Sequence, residues 1–183
     1  MLVESLMTRD PESCRPEASL ADAAAIMWRR DCGVVPVTGD GGGVVGIITD
    51  RDICMALGLG GRRAAEVSVG EAMSRDVQVC TPVDDVSEAL ELMQSRQLRR
   101  LPVVGGDGKL VGILSMNDVV LRTRKGKGKK QVARSETLKA IKAISRPHGS
   151  VEDEGGADEA TDEAHFDEGD FAPEPEETRK DES

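Results

Sequence analysis

The sequence contains an internal repeat. Residues 7–52 align with residues 73–118 without a gap, at a constant offset of 66 positions. A repeat of this length corresponds to two copies of one supersecondary unit, and neither copy is large enough to bury its own apolar face. The two copies are therefore predicted to form one module. The matched identities include Met7/Met73, Asp10/Asp76, Pro36/Pro102, Gly46/Gly112 and Asp52/Asp118.

Each copy has the same pattern of elements. A short extended segment begins at Thr8 or Ser74, and a helix follows Pro16 or Pro82. The helix is predicted from apolar residues spaced i, i+3, i+4 and i+7, which form one buried stripe. These residues are Leu20, Ala23, Ala24 and Met27 in the first copy and Val86, Ala89, Leu90 and Met93 in the second. Ser19 with Asp22, and Asp84 or Asp85, are predicted to cap the two helices.

Two strands and a second helix complete each copy. Residues rich in β-branched side chains predict strands at 34–38 and 44–49, and again at 101–104 and 110–115. Glycine-rich loops join the strands of each pair, as in hairpins. A further helix starts near Thr49 or Ser115. The predicted fold class is α/β, with tandem β-α-β-β-α repeats packed as one pseudo-twofold module.

The sequence changes character after the repeats. We divide it into a first repeat (1–64), a second repeat (65–124), a basic linker with a short helix carrying Leu138, Ile141 and Ile144 (125–147), and an acidic tail (148–183). Residues 151–183 hold fifteen acidic and two basic residues, a net charge of −13, so the remainder carries +3. The mildly basic body therefore admits an anionic ligand. The tail has too few apolar residues to order itself and is predicted to be disordered.

The cysteines and the N-terminal sequence give no sign of a secreted or membrane protein. The four cysteines form no CxxC pair, and both histidines lie at or beyond the end of the repeats, so no zinc site follows from spacing. We expect reduced, largely buried thiols. The first residues lack a signal-peptide pattern, and no apolar run is long enough to span a membrane. These features predict a cytoplasmic protein without membrane association.

The strand-to-helix junctions carry the clearest chemical pattern. Residues 46–52 and 112–118 both consist of a glycine, two apolar residues, a hydroxyl residue, two variable residues and an aspartate. The glycine permits close approach of a ligand or of another chain segment, and free amide groups of the helix's first turn favour phosphate. The aspartate can accept hydrogen bonds from two vicinal hydroxyls, as ribose requires. Alternatively, each junction is only a capping box that starts a helix.

These motifs resemble those of the CBS domain family, whose repeats occur in tandem as a Bateman module. The resemblance covers roughly residues 2–124. It rests on the Met-Thr-Arg-Asp and Met-Ser-Arg-Asp openings at 7–10 and 73–76, on Gly-Val-Val-Pro-Val at 33–37, on Arg-Arg-Leu-Pro-Val at 99–103, and on the two junctions.

The resemblance implies a regulatory module that binds AMP, ADP, ATP or S-adenosylmethionine in the cleft between the repeats. The ribose and phosphate positions carry over to Thr49 with Asp52 and to Ser115 with Asp118. The adenine is expected beside the apolar-proline strands. Their ligand-binding residues are Cys32, Gly33, Val34, Val35 and Pro36 in the first copy, and Arg99, Arg100, Leu101 and Pro102 in the second. Because Arg99 and Arg100 replace Gly33 and Val34, the two copies are expected to prefer different phosphate numbers.

The leading hypothesis is a non-enzymatic module that senses a nucleotide and signals to a partner protein. The repeats contain no histidine and no nucleophile-base arrangement. Ligand bridging the repeats is expected to shift the population of two forms that a partner distinguishes. A homodimer is also predicted, because Ile26 and Trp28 lie off the apolar stripe of the first helix.

Two other function classes remain open. Basic residues between 122 and 134 suit nucleic-acid phosphates, although this segment has no aromatic residue for base stacking. A solvated linker that pairs with the acidic tail is the simpler interpretation. The second alternative is a thiol redox or metal sensor. It rests on Cys14 and Cys80, which occupy equivalent positions and could approach each other across the pseudo-twofold axis. Equivalent burial in the two repeats explains their matching positions equally well.

Overall fold

The structure is a computed structural model that describes residues 1–122 and 134–146. Most of the basic linker and the whole acidic tail lie outside the described residues. The first repeat contains β1 (Thr8–Arg9), α1 (Leu20–Arg30), β2 (Val34–Thr38), β3 (Val44–Thr49) and α2 (Asp50–Gly60). The rest contains α3 (Val69–Ala72), α4 (Val86–Ser95), β4 (Arg100–Val104), β5 (Leu110–Ser115), α5 (Met116–Arg122) and α6 (Arg134–Ile144).

The predicted α/β fold class is confirmed, with helices and hairpins close to the expected positions. Both hairpins are antiparallel, and Val34 lies opposite Thr49 as Arg100 lies opposite Ser115. Ser19 caps α1 in a capping box with Asp22. Of the two aspartates proposed for α4, Asp85 is the N-cap. Three short elements were not predicted: single 3-10 turns at Val3–Ser5 and Ala64–Glu66, and the four-residue α3.

The opening segments of the two repeats are exchanged. β1 of the first repeat pairs with β5 of the second, with Thr8 opposite Ile113, so the second repeat has a three-stranded sheet in the order β1-β5-β4. In the other direction Ser74 exchanges two backbone hydrogen bonds with Ile47, of 3.0 and 2.9 Å. Each hairpin is therefore completed by chain from the other repeat.

The junction glycines make this exchange possible. A Cβ atom added at Gly112 lies 2.6 Å from Met7 Sδ and 3.1 Å from the backbone oxygen of Thr8. In the first repeat, a Cβ atom at Gly46 overlaps Met73 in the same way. The matched methionines and glycines of the two copies thus contact each other across the repeats. The sequence allowed either a ligand or another chain segment to approach the strand at these glycines. In the structure a chain segment of the other repeat does so.

Because of the exchange, the apolar core of each repeat contains side chains from both repeats. The core of the first repeat includes Val67, Val69 and Met73, which come from the start of the second. The core of the second repeat includes Val3, Leu6 and Met7 from the start of the first. Each repeat therefore buries side chains that the other supplies, and the two are expected to unfold together.

Helix α6 packs against the second repeat, and of the three apolar residues named from the sequence only Ile144 is buried there. Ala140 and Ile144 are buried in that repeat's core and Thr137 is buried beside them, whereas Leu138 and Ile141 are 51% and 39% exposed. Three residues cover 300° of an α-helix, so a spacing of three drifts around its surface. Positions 137, 140 and 144, at i, i+3 and i+7, stay on one side.

The surface of α1 also differs from the prediction. Ile26 was placed outside the buried stripe, but it is 8% exposed and belongs to the first repeat's core, since the buried arc of α1 extends to i+6. Trp28, in contrast, is 89% exposed as expected. The apolar surface left open on this helix is therefore smaller than the sequence indicates.

Candidate ligand site between the repeats

Both junctions form complete capping boxes at the start of a helix. Oδ2 of Asp118 accepts hydrogen bonds from the Ser115 amide at 2.8 Å and from the Ser115 hydroxyl at 2.6 Å, and the Asp118 amide donates to the same hydroxyl at 3.2 Å. Thr49 and Asp52 repeat this arrangement at 2.9, 2.7 and 3.2 Å. The capping interpretation of these motifs therefore describes a contact that is present.

The capping contacts use only one of the two oxygens of each carboxylate. In both Asp52 and Asp118 the cap uses Oδ2, and Oδ1 makes no hydrogen bond to any residue that the structure describes. Both side chains are partly buried. A carboxylate oxygen has two lone pairs, so Oδ1 can accept from ribose hydroxyls while Oδ2 holds the helix. Capping and ligand binding are compatible roles for one residue.

A cavity of about 390 Å³ lies between the repeats beside Asp118. Its volume falls within the usual range for small-molecule sites. The second repeat contributes Arg100, Ile113, Ser115, Asn117 and Asp118 to its wall. The first repeat contributes Thr8, Arg9, Asp10, Pro11, Glu12, Ile26, Arg30, Asp31, Cys32, Val34 and Pro36. Because β1 pairs with β5, the opening segment of the first repeat lies directly beside the second repeat's junction.

The cavity brings together six of the residues proposed from the sequence. They are Cys32, Val34, Pro36, Arg100, Ser115 and Asp118. The junction of one repeat therefore faces the apolar-proline strand of the other, a combination that the sequence left open. Neither Thr49 nor Asp52 lines this cavity.

The remaining proposed residues lie elsewhere. Val35 and Leu101 are fully buried, one in each core, and Pro102 is buried in β4. The side chain of Arg99 is exposed, and its backbone oxygen accepts a hydrogen bond from the Met116 amide at 2.9 Å. None of these four residues lines the cavity.

The sequence analysis did not predict that the opening segment and the end of α1 line the cavity. Asp31, the C-cap of α1, has a left-handed backbone with a φ of 48° and lines the cavity. The duplicated openings at 7–10 and 73–76 were a usable signal, because identical surface residues in both copies indicate a shared role. The exchange that places them here depends on tertiary packing.

The charged residues of the wall are only partly paired. Arg30 Nε lies 2.8 Å from Glu12 Oε2, and Arg29 also contacts this carboxylate. Hydrogen bonds from Arg30 and then Arg29 hold the pKa of Glu12 below its ordinary value, so Glu12 is ionised at neutral pH. Arg9 lies 4.0 Å from the Glu4 carboxylate. Arg100 forms no ion pair within the described residues.

A second, more open cavity of about 490 Å³ adjoins the first. Asp31, Cys32 and Arg100 line both cavities, whereas Trp28 and Asp50 line only the second. Gly33, another proposed residue, lines this second cavity. Neither Thr49 nor Asp52 belongs to it.

Two of the four cysteines, Cys14 and Cys80, carry the hypothesis of a thiol or metal sensor, and both are buried. Burial raises the pKa of Cys14 to about 11 and that of Cys80 to about 12, so both are protonated at neutral pH. They belong to different cores, and neither forms a disulfide. Within residues 1–122 and 134–146 there is no cluster of His, Cys, Asp and Glu able to hold a metal ion. The same residues include no helix that is long and apolar enough to cross a membrane.

Comparison with known sequences supports the interpretation of the repeats. The pattern of the CBS domain family matches residues 3–59 and again 69–124, which together make up more than half of the chain. The chain belongs to the CBS domain family. The CBS domain-containing protein YhcV of Bacillus subtilis is 32% identical over 119 residues, which cover 65% of this chain and 83% of YhcV.

The same module occurs inside larger CBS proteins. Inosine-5'-monophosphate dehydrogenase of Mycobacterium leprae is 34% identical over 119 residues, or 64% of this chain. That match spans only 21% of the dehydrogenase. The similarity therefore concerns the CBS part of that protein.

Solved CBS structures with adenosyl ligands share this fold. The CBS domain pair of protein MJ0100, in complex with 5'-methylthioadenosine and S-adenosyl-L-methionine, has a TM-score of 0.61 and 26% identity. That match covers 66% of this chain and 94% of the other. CBSX2 in complex with AMP, a protein of Arabidopsis thaliana, has a TM-score of 0.55 and 25% identity, and the match covers 79% of this chain and 98% of CBSX2.

Proposed function

We propose that this CBS pair is a regulatory module that binds an adenosine-containing ligand in the cavity beside Asp118. The observation that carries the proposal is the wall of that cavity, which combines Asp118 from one repeat with Cys32, Val34 and Pro36 at the start of the apolar strand of the other. The cap of α5 uses only Oδ2 of Asp118. An acceptor for ribose and an apolar surface for a base are the two features that an adenosyl group requires. The complexes of MJ0100 and CBSX2 support the same ligand class.

The signal is proposed to arise from the position of the cavity between repeats. A ligand held by Asp118 and by β2 contacts both halves of the module. It therefore stabilises those arrangements of the two repeats in which both contacts form, and it shifts the population toward them. A partner protein that binds one arrangement better would respond to the ligand. We propose no catalytic step, since the sequence of both repeats contains no histidine and no nucleophile-base pair.

We further propose that the protein is cytoplasmic and consists of the repeats at 1–64 and 65–124, followed by a basic linker with α6 (125–147) and an acidic tail (148–183) that lies outside the described residues. None of the four cysteines forms a disulfide in the structure, which supports a reducing compartment, and the change in charge along the sequence supports the division into segments. The nucleic-acid hypothesis depends on residues 122–134, most of which lie outside the described residues, and no observation of the structure favours it.

A ligand screen by thermal denaturation tests the proposed function. A ligand that binds only the native state raises the melting temperature, and at 100 times its Kd it adds about 2.7 kcal/mol to the free energy of unfolding. We expect at least one of AMP, ADP, ATP and S-adenosylmethionine to raise the melting temperature, and the matching guanine nucleotides to have a smaller effect. Unchanged melting with every adenosyl compound at millimolar concentration would contradict the proposal.

We propose that the protein forms a homodimer through the face of α1 that carries Trp28. Trp28 is 89% exposed, and a second copy is one way of covering so large an apolar side chain. Sedimentation equilibrium is expected to show a dimer at tens of micromolar, an order of magnitude suited to weak association. Because Trp28 is the chain's single tryptophan and tyrosine is absent, its fluorescence reports on this face alone.

The Trp28→Ala variant is expected to shift the protein toward monomer. Tryptophan emission should move to shorter wavelength as the wild-type protein is concentrated. A wild-type protein that sediments as a monomer, with emission independent of concentration, would rule out this dimer.

A further inference from the structure

Helix α6 lies outside the two repeats in the sequence, because the CBS pattern ends at residue 124. Its inner side is buried against the second repeat. Its C-terminal end is held by Gln97, whose side-chain amide donates to the backbone oxygens of Ala143 and Arg146 at 3.3 and 3.4 Å. These contacts fix the helix on the repeat and determine which of its faces is left to solvent.

The outward face of α6 is apolar along its middle. Leu138 and Ile141, at positions i and i+3, are neighbours on the surface of an α-helix, and both are exposed. On α5, the helix that contacts α6, Leu121 is exposed as well. Apolar side chains that are grouped on a surface, unlike single ones, indicate a place where a partner binds.

The same face is basic. Arg134 and Lys142 lie four residues before and four residues after Leu138, and therefore on its side of the helix. Lys139 and Arg146 are also exposed. Glu136, the acidic residue of α6, lies about 160° around the helix from Leu138. Among the described residues, none of the four basic side chains forms an ion pair. Their charge is available to a partner.

We propose that the outward face of α6 is a docking site for an acidic amphipathic segment of a partner protein. The apolar side of that segment packs on Leu138 and Ile141, and its carboxylates pair with Arg134 and Lys142. No residue of α6 lines either cavity, so the proposal does not depend on the ligand.

Other occupants match this face less well. A second copy of the chain presents the same positive charge, and like charges placed opposite each other oppose the contact. An anionic membrane attracts basic residues, but a helix at a membrane surface inserts a broad apolar face. In α6 the larger apolar side is already buried against the second repeat.

Titration of the nitrogen-15-labelled full chain with three synthetic peptides of about 15 residues, long enough to form a helix, tests the proposal. The first peptide has leucines at positions i, i+3, i+4 and i+7 and glutamates elsewhere. The second has lysines in place of the glutamates, and the third has serines in place of the leucines. We expect saturable shifts of the amides of Leu138, Ile141 and Lys142 with the first peptide only. This binding should weaken at about 0.5 M salt, where charges are screened.

Leu138→Ser is expected to weaken binding of the first peptide at least about tenfold, because the apolar contact is lost. Lys142→Glu keeps the apolar pair and should weaken binding about threefold or more through charge alone. Leu59→Ser is the matched control, since Leu59 is an exposed leucine near the end of α2 in the first repeat, and it should bind as the wild type does. If melting temperatures show that Leu138→Ser is unfolded, the Lys142→Glu result decides.

Three results would overturn the proposal. The first is shifts with the acidic peptide that lie away from α6. The second is an unchanged affinity in Lys142→Glu, or equal binding of the serine peptide. The third is that phosphatidylserine vesicles shift the α6 amides while the first peptide does not, since the face would then be one for a membrane surface. Each of these results leaves the proposed ligand site untouched.

Discussion

Substitution of Asp118 by asparagine is expected to weaken adenine-nucleotide binding about 10- to 100-fold, since hydrogen bonds to a charged group are worth about 1.5 to 3 kcal/mol. The asparagine carbonyl can replace Oδ2 as the acceptor for Ser115, so the capping contact remains. Its amide group, however, takes the place of Oδ1 and removes the acceptor that is proposed to hold the ribose. The cost to the free energy of unfolding should stay below about 1 kcal/mol, the size of a charge effect at a helix N-terminus. Calorimetry and urea denaturation measure the two quantities.

Asp22→Asn is the matched control for this substitution. Asp22 forms the same capping box on α1, accepting from the Ser19 amide at 3.0 Å and from the Ser19 hydroxyl at 2.7 Å, but it lies outside both cavities. It should lose a similar small amount of stability and bind nucleotide normally. If Asp118→Asn binds as well as the wild type, the capping geometry at Asp118 serves the helix alone.

Substitution of Gly112 by alanine is expected to lower the free energy of unfolding by about 1 to 3 kcal/mol, the usual cost of overpacking a core. The added methyl group meets Met7 Sδ at 2.6 Å and the Thr8 backbone oxygen at 3.1 Å, so it pushes β1 away from β5. Gly106→Ala is the control, because a Cβ at that loop position has no neighbour within 4 Å. It should change the stability by less than about 0.5 kcal/mol. Urea denaturation measures both.

A double mutant separates the clash from other effects of the methyl group. Met7→Ala removes the side chain that the methyl group meets, at its own cost of about 2 to 5 kcal/mol for a buried methionine. In the presence of Met7→Ala, the added cost of Gly112→Ala should shrink. Additive costs in the double mutant would show that Met7 and Gly112 are not in contact, and the exchange of segments would then be in doubt.

Local features of the repeats were predictable because their causes are local. The spacing of Val86, Ala89, Leu90 and Met93 and the β-branched runs of both hairpins fix the helices and strands directly. The pairing of Ser19 with Asp22 likewise depends on three residues of separation. Duplication then indicated one module. Helix spacing, β-branched runs and capping pairs all involve residues close together in the sequence, so they can be identified without the structure.

The exchange of segments could not be predicted from these regularities. Thr8 and Ser74 carry the same local signal whether they pair within their own repeat or with the other one. The choice depends on the fit of Met7 against Gly112 and of Met73 against Gly46, which only the packed structure displays. For the same reason the sequence named Ser115 and Cys32 separately and did not place them in one cavity. The predictions for Leu138 and Ile141 on α6 and for Ile26 on α1 were wrong, because the burial of each residue depends on the surface against which its helix packs.

The central claim is that the adenosyl ligand binds between the repeats beside Asp118. A nitrogen-15 NMR titration of the full chain with AMP tests it most directly. We predict saturable shifts of backbone amides on both sides of the cavity, at Cys32 and Val34 in one repeat and at Ser115 and Asn117 in the other, with little change at Ser19–Asp22 on α1. Shifts confined to one repeat, or located away from the cavity, would contradict the account.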